Sequence, residues 1–385
     1  MSTTPAAEPN PRYRYLTDSY VFRWENQTLR ADLILTLPIA LCLFIGIAVG
    51  HPAAGMIAAG GAMNTGFGRK QTIAGSSLPP MIYVTLGMAF AGFLGVLIGH
   101  HSIIMVAVAA LLGFGYGMLT SLPGGYGWVG QQCVITYLVA SAFPASPLDA
   151  LGRAGLLFAG GLIQLLVSSL LLHIFADLRN RVVTLRQTLL AEEATLRALV
   201  IQIASSLRPR HLLNSAIPYS LRLAFVLALG TEIYRELHYP SGYWIPMTAL
   251  LVLRPAVTDT VNRALARGLG TIAGAAIISL CLAHIHPDLI ALAAFAVVFA
   301  WISFGIVNVN YALFSAVTTG YIVFLLSLNQ LPGPLVAQRR TVATLIGVAI
   351  ALTVRLVVIS RYRHVWNKAL ASFTSSTVTP SIPSV

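Results

Sequence analysis

The residues best equipped for chemistry lie in one stretch of the second half of the chain. Tyr239-Pro240-Ser241-Gly242-Tyr243-Trp244-Ile245-Pro246-Met247-Thr248 runs on to Leu253-Arg254-Pro255, then through Thr260, Arg263 and Arg267 to Gly270, Thr271 and Gly274. Trp244 and Thr248 are spaced i, i+4, so a helix puts them on one face. An indole and a hydroxyl side by side suit an aromatic or carboxylic solute. Arg254 follows, and a guanidinium takes a carboxylate through two parallel hydrogen bonds. Arg263 and Arg267, again i and i+4, add two positive charges to one face. Pro246 is expected to interrupt a short helix and free backbone carbonyls. The same residues have a plainer reading, with Trp244 an interfacial anchor and the arginines ordinary cytoplasmic-side charges of a membrane protein.

The first half has a counterpart with different side chains. It reads Pro52-Ala53-Ala54-Gly55-Met56, then Gly60-Gly61-Ala62-Met63-Asn64, then Arg69-Lys70. Small residues stand where the second copy has aromatics. A site between the halves would therefore have room for a solute beside one aromatic wall, with Asn64 and Arg69 as its polar groups on the other side.

Composition says what must position these residues. The 385-residue chain is 57% hydrophobic and only 9% charged, with a mean hydropathy of +0.79. Soluble domains carry ~25% charged residues, and disordered chains are poor in apolar ones, so both classes are excluded. The apolar runs are continuous rather than alternating, which excludes a β-barrel. An all-α polytopic membrane protein remains. Twelve candidate spans are read at 31–50, 52–67, 79–99, 102–119, 125–143, 149–175, 216–235, 242–253, 263–283, 287–304, 309–327 and 338–358. Two of them, 52–67 and 242–253, fall short of the ~17 residues a span needs, a known pointer to a transport site.

The net charge of +12 would suggest nucleic acid in a soluble chain, but here the basic residues alternate with apolar runs and report orientation instead. Most of the 24 Lys and Arg residues fall in the tails, the 69–70 loop, the central linker and the 254–267 region. Both termini are therefore expected in the cytoplasm, with no nucleic-acid partner. Arg153, Arg235, Arg339 and Arg340 are left for the opposite side. Arg153 and Arg340 begin spans six and twelve in matching positions, where two charges against the trend would attract anions at an exit. Cys42, Cys133 and Cys281 all lie within apolar runs, without metal or disulfide spacing. No cleaved signal peptide is visible before residue 31.

The chain reads as two parallel six-helix repeats. Arg153 and Gly160 are spaced as Arg340 and Gly347 are, and Gly87 and Gly92 correspond to Gly270 and Gly274 with one residue fewer between them. Such glycines let membrane helices approach closely, and Gly95 with Gly99 is read in the same way. The domains expected are a cytoplasmic tail at 1–30, a membrane repeat at 31–177, an amphipathic cytoplasmic linker at 178–212, a second repeat at 213–360, and a tail at 361–385. The end of that tail, beyond 371, is Ser/Thr/Pro-rich and expected to be disordered.

Several polar constellations are open to two readings. His100-His101 and His284-Ile285-His286 lie at the outer ends of spans three and nine, as pH sensors, metal ligands or plain polar loops. Glu232, Arg235 and Glu236 form surface ion pairs or take part in proton uptake. Asn308, Asn310, Gln131 and Gln132 need partners away from lipid, most simply across helices. No phosphate loop, nucleophile elbow or metal cluster is present in the sequence, so neither an enzyme nor a cofactor is expected.

The 243–274 pattern resembles the fusaric acid resistance-like family of bacterial inner-membrane proteins. That group includes aromatic acid exporters and has the plant aluminium-activated malate transporters as distant relatives. The matching residues are Tyr243-Trp244, Thr248, Leu253-Arg254-Pro255, Arg263-Ala264-Leu265, Arg267 and Leu269-Gly270-Thr271 with Gly274; Gly60 to Asn64 and Gly66 to Gly68 are similar to the family in the first half. The resemblance implies a multi-pass inner-membrane efflux transporter of organic anions, aromatic carboxylates above all, and leaves proton coupling or passive flux open; with no ATP-binding motif in the sequence, any work is expected to come from an ion gradient. Its partners would be a small organic anion and the lipid bilayer, and its state a monomer or homodimer. A passive anion channel and a non-transporting scaffold are the alternatives. Larger members of the family carry a cytoplasmic domain between the halves, which the 178–212 linker replaces here.

Overall fold

A computed structural model describes residues 17–99, 102–171, 216–285, 287–329 and 331–376. Among the described residues every element of regular length is a helix. A short α1 (Thr17–Tyr20), a 3-10 turn at Trp24–Asn26, α2 (Leu29–Asp32) and a further 3-10 turn at Leu33–Thr36 lead into α3 (Leu37–Ala48). The first half continues with α4 (Pro52–Gly68), α5 (Leu78–Ile98), α6 (Ile103–Leu119), α7 (Tyr126–Ser141) and α8 (Pro147–Leu171). The second contains α9 (Ala216–Leu237), α10 (Trp244–Val252), α11 (Val257–His284), α12 (Leu289–Ile306), α13 (Tyr311–Ser327) and α14 (Gly333–Ser376). The expected linker at 178–212 lies outside the described residues. Residues 372–376, expected in a disordered tail, continue α14 as helix.

Among the described residues, seven helical stretches are long and apolar enough to cross a membrane: Trp24–Ala48, Leu78–Ile98, Pro147–Leu171, Ala216–Leu237, Val257–His284, Leu289–Ile306 and Gly333–Val357. Large apolar side chains such as Phe90, Leu111, Leu148, Phe225, Ile277 and Leu280 point outward, which in water would be unfavourable and in lipid is not. Prolines mark the starts of α4, α5 and α8, where a missing N–H costs nothing. Gly99 follows the last residue of α5 with φ +71°, so it stops the helix rather than extending a packing face with Gly95.

The two halves pack alike. In the first, α5 lies against α7 and α8, α8 against α4, and α4 against α3. In the second, α11 lies against α13 and α14, α14 against α10, and α10 against α9. The halves then exchange partners: α9 packs on α6, while α2 and α3 pack on α12. Neither half has a core of its own. One apolar core joins Met105, Tyr137 and Leu138 to Leu223, Trp244 and Leu250, and the other joins Leu35, Ile39 and Ala62 to Ala296, Phe304 and Phe324.

Glycines set the tightest crossings. A Cβ on Gly160 would lie 1.8 Å from the Ala58 carbonyl oxygen, between α8 and α4. One on Gly347 would lie 2.5 Å from the Ile245 carbonyl oxygen, between α14 and α10. Gly270 and Gly274 meet the Ala312 and Ala316 carbonyls of α13 at 2.2 and 2.5 Å, whereas Gly87 and Gly92 face side chains, Cys133 and Leu157.

Candidate functional site

α10 explains the site's position. Nine residues of helix are ~14 Å long, half of the ~30 Å hydrocarbon layer. Its first residues are buried in protein rather than exposed at a surface: Trp244 and Tyr243 are nearly inaccessible and Ile245 is fully so. Pro246 falls in the first turn of this helix, so it starts α10 instead of interrupting it. The backbone N–H groups around it are taken by Ser241, Gly242 and Tyr243 carbonyls, and proline's missing donor falls where helices have no partner for one. Tyr243 packs on Trp244 with ring centroids 5.1 Å apart and on Phe143, just beyond α7, at 6.2 Å.

Past the other end of α10, at its C-terminal side, is a mouth lined with basic residues. Arg254 is partly buried, and its backbone N–H and carbonyl are both tied to the Thr260 hydroxyl. Arg263, on the first turns of α11, lies 3.7 Å from the centroid of the Tyr311 ring. Arg267, one turn further, is buried, with its Nε unpaired. Arg267, Arg263 and Arg254 are, in that order, the positive charges acting on the Tyr311 hydroxyl. These three sequence-derived candidates are therefore brought together around one tyrosine. Among the described residues one carboxylate pairs with them: Asp18 Oδ2 lies 3.5 Å from Arg263.

Asp18 arrives on an N-terminal strap that the sequence did not connect to this region. Thr17 exchanges two hydrogen bonds with the Asn262 side chain, Arg23 N–H donates to the Val309 carbonyl, and Asn310 donates to the Val21 carbonyl while capping α13. Under this strap is a cavity of about 720 Å³ lined by Asp18, Arg23, Glu25, Arg263, Asn308 and Tyr311, among others.

Asn64 and Arg69 belong to the end of α4 and the residue after it. They flank Phe67 of α4, which packs on Phe304 at 4.6 Å and on Phe314 at 5.9 Å; Phe314 in turn lies 6.3 Å from Tyr311. Asn64 donates to the Gly60 carbonyl of its own helix, and a buried Arg69 nitrogen has no partner. The neighbouring Lys70 is held by Asp32 at 2.6 Å.

Thr248 and Trp244 share a face of α10 as expected, and that face meets α14. There the structure corrects the sequence reading. Arg340, assigned to the outer side, is fully buried. Its guanidinium lies 4.0 Å over the Trp244 ring, and its Nε donates to the Thr319 hydroxyl at 3.2 Å. Its sequence counterpart Arg153 stays near the surface and donates to the Phe143 carbonyl at 2.6 Å. The signal that could have flagged Arg340 was its place seven residues inside an apolar helix, where ionisable residues mark function.

The remaining constellations are peripheral. Arg235 bridges Glu232 and Glu236 at 2.6 and 2.5 Å, as a surface ion-pair cluster does. His284 is exposed and its ring nitrogen contacts the Leu280 carbonyl; His100, His101 and His286 lie outside the described residues. No metal-ligating cluster exists among the described residues. Cys42 is buried, Cys133 partly so and Cys281 exposed, all as free thiols.

Comparison with known proteins covers the part of the chain that carries this geometry. Residues 223–354 match the family model described as fusaric acid resistance protein-like, a segment that contains Trp244, Thr248, Arg254, Arg263, Arg267 and Arg340. The first-half segment around Gly60 lies outside it. An uncharacterized protein of Synechocystis, slr1298, is 29% identical over 144 residues, covering 37% of this chain and 19% of that protein. The inner membrane protein YccS of Escherichia coli K12 is 34% identical over 134 residues, covering 34% of this chain and 18% of YccS. The alignments thus span under a fifth of either relative's length. No solved structure matches the chain.

Proposed function

We propose that this multi-span membrane protein, whose residues 223–354 match the fusaric acid resistance protein-like family model, exports organic anions, aromatic carboxylates foremost, across a bacterial inner membrane under an ion gradient. The observation that carries this reading is the set of three arginines around Tyr311, matched by the single carboxylate of Asp18 among the described residues. Uncompensated positive charge at a mouth of low dielectric concentrates anions there. Arg254 and Arg263 take the carboxylate from the cytoplasm, Arg267 draws it inward, and Trp244 and Tyr243 form the aromatic wall. Thr248 contributes a hydrogen bond, with Asn64 and Arg69 on the opposite side. Gly87, Gly92, Gly270 and Gly274 serve helix packing.

We read the architecture as twelve crossings in two parallel repeats with both termini cytoplasmic. The matched packing of the two halves supports it, with α8 on α4 echoed by α14 on α10 and the exchange of α9 and α3 between them. The crossing near Gly160 and Ala58 likewise echoes the one near Gly347 and Ile245.

The test is uptake of a labelled aromatic carboxylate into proteoliposomes, with and without an imposed pH gradient, for the wild-type chain and Arg254→Ala. Uphill accumulation that needs the gradient and is lost in the variant supports coupled export. Downhill flux indifferent to the gradient overturns coupling in favour of a passive channel, and unchanged flux in Arg254→Ala removes that residue from the site.

A further inference from the structure

Arg340 has more donors than the protein uses. It is fully buried, Nε is committed to Thr319, and both terminal nitrogens, Nη1 and Nη2, have no partner. No carboxylate among the described residues lies within ion-pairing distance of it, and the like charge of Arg267 acts on it instead. A buried donor left unmatched is costly, and a buried unpaired charge more so. Stacking on Trp244 offsets part of that cost. That contact leaves Nη1 and Nη2 without a hydrogen-bond partner.

Further unmatched polar atoms lie alongside. Thr344 is one turn beyond Arg340 on the same face of α14, and its buried hydroxyl has no partner. Thr248 is one turn beyond Trp244 on α10, fully buried, and its hydroxyl has none either. The close approach at Gly347, 2.8 Å from its would-be Cβ to Thr248 Cβ, presses these two faces together. Four unsatisfied polar atoms, all hydrogen-bond donors, are thus gathered along one α10–α14 contact, in a helix pair that otherwise packs through apolar groups. The fold itself does not call for this. At the matching position in the first half, Arg153 turns to the surface and finds a backbone carbonyl.

We propose that Arg340, with Thr344 and Thr248, forms an occluded anion site between α10 and α14, inward of the arginine mouth. A carboxylate is held there end-on by Nη1 and Nη2 while Trp244 stacks on the guanidinium and Thr319 fixes its Nε. A planar fork matches two carboxylate oxygens, which an ammonium cannot do. This rests on the anion-export reading and deepens it: Arg254 and Arg263 capture the anion, and Arg340 holds it in the occluded state.

Calorimetric titration of the full chain in detergent with benzoate, using benzamide as the neutral isostere, tests this. The wild-type chain is expected to bind benzoate and not benzamide. Arg340→Gln is expected to weaken benzoate roughly a hundredfold, two charge-assisted hydrogen bonds being lost, and Arg340→Lys by roughly tenfold. Thr344→Val and Thr248→Val keep the shape and remove an unmatched hydroxyl. They are expected to raise the melting temperature while weakening benzoate about threefold to tenfold each. A merely structural cluster would give the stabilisation without the loss of affinity. Wild-type affinity in a folded Arg340→Gln chain, or in both threonine variants should Arg340→Gln not fold, overturns the site and leaves export intact. If benzoate does not bind the wild-type chain, the occluded site is overturned, and the proteoliposome measurement then decides export separately.

Discussion

The guanidinium of Arg263 lies 3.7 Å from the centroid of the Tyr311 ring, and it does so beneath a strap whose Asp18 stands 245 residues earlier in the chain. Tyr311 opens α13 immediately after Asn310, which caps that helix and holds the strap. One tyrosine therefore links the arginine mouth, the strap and, through Phe314 and Phe67, the first half of the chain.

Replacing Tyr311 tests that link. A cation over an aromatic face contributes about 1–2 kcal/mol when partly desolvated. Tyr311→Leu is therefore expected to weaken binding of an aromatic carboxylate at the mouth by roughly fivefold to thirtyfold. Tyr311→Phe, which retains the ring, should lose much less. Direct titration of both variants checks this, and equal losses would assign the effect to the hydroxyl beside Arg267 instead.

Asp18 competes with any anion for Arg263. The pair is partly exposed at 3.5 Å, with side-chain exposures of 28% and 37%, so it belongs with weak ion pairs of about 0.2–1 kcal/mol. Asp18→Asn is expected to raise the apparent affinity for a carboxylate by about twofold to fivefold. Initial-rate measurements over a concentration series read this as a lower half-saturation constant. A higher constant would mean that Asp18 positions Arg263 for the solute.

The α10–α14 crossing tolerates no side chain at Gly347. Gly347→Ala places a Cβ 2.5 Å from the Ile245 carbonyl oxygen, and overpacking of this kind costs about 1–3 kcal/mol. A lowered melting temperature in detergent is expected. Gly60→Ala is the matched control, since nothing lies within 4 Å of its would-be Cβ, and it should melt with the wild-type chain.

The proposed twelve crossings with cytoplasmic termini would place the Gly75-Ser76 turn inside and the start of α12 outside. In a chain freed of Cys42, Cys133 and Cys281, Ser76→Cys should react with an impermeant maleimide only in opened or inverted membranes. Asp288→Cys should react in intact cells. The opposite pattern would invert the orientation, and labelling of both from one side would remove an odd number of crossings between them.

Much of this protein is legible in its sequence because the governing interactions are local. In lipid each backbone polar group must be satisfied within its own segment. Apolar runs between Pro and Gly boundaries therefore mark the helices, down to the short segment at 242–253 that becomes α10. The i, i+4 spacing of Trp244 with Thr248 and of Arg263 with Arg267 likewise survives folding unchanged, because a helix has one period.

Which charges face inward is a different matter, settled by contacts between distant segments. Arg153 and Arg340 occupy matching places in sequence, yet one meets the Phe143 carbonyl near the surface and the other is enclosed by Trp244 and Thr319. The two halves differ in what surrounds that place, with an aromatic wall on α10 and small residues on α4, so the same side chain finds different partners. Asp18 reaches Arg263 only because the strap hydrogen-bonds to Asn262, Val309 and Asn310. By itself, the sequence determined where the helices lie and which side chains share a helical face. Only the tertiary structure decided which arginines are buried, which carboxylate answers them and which donors are left unmatched, because those outcomes depend on pairs of residues separated by up to 289 positions.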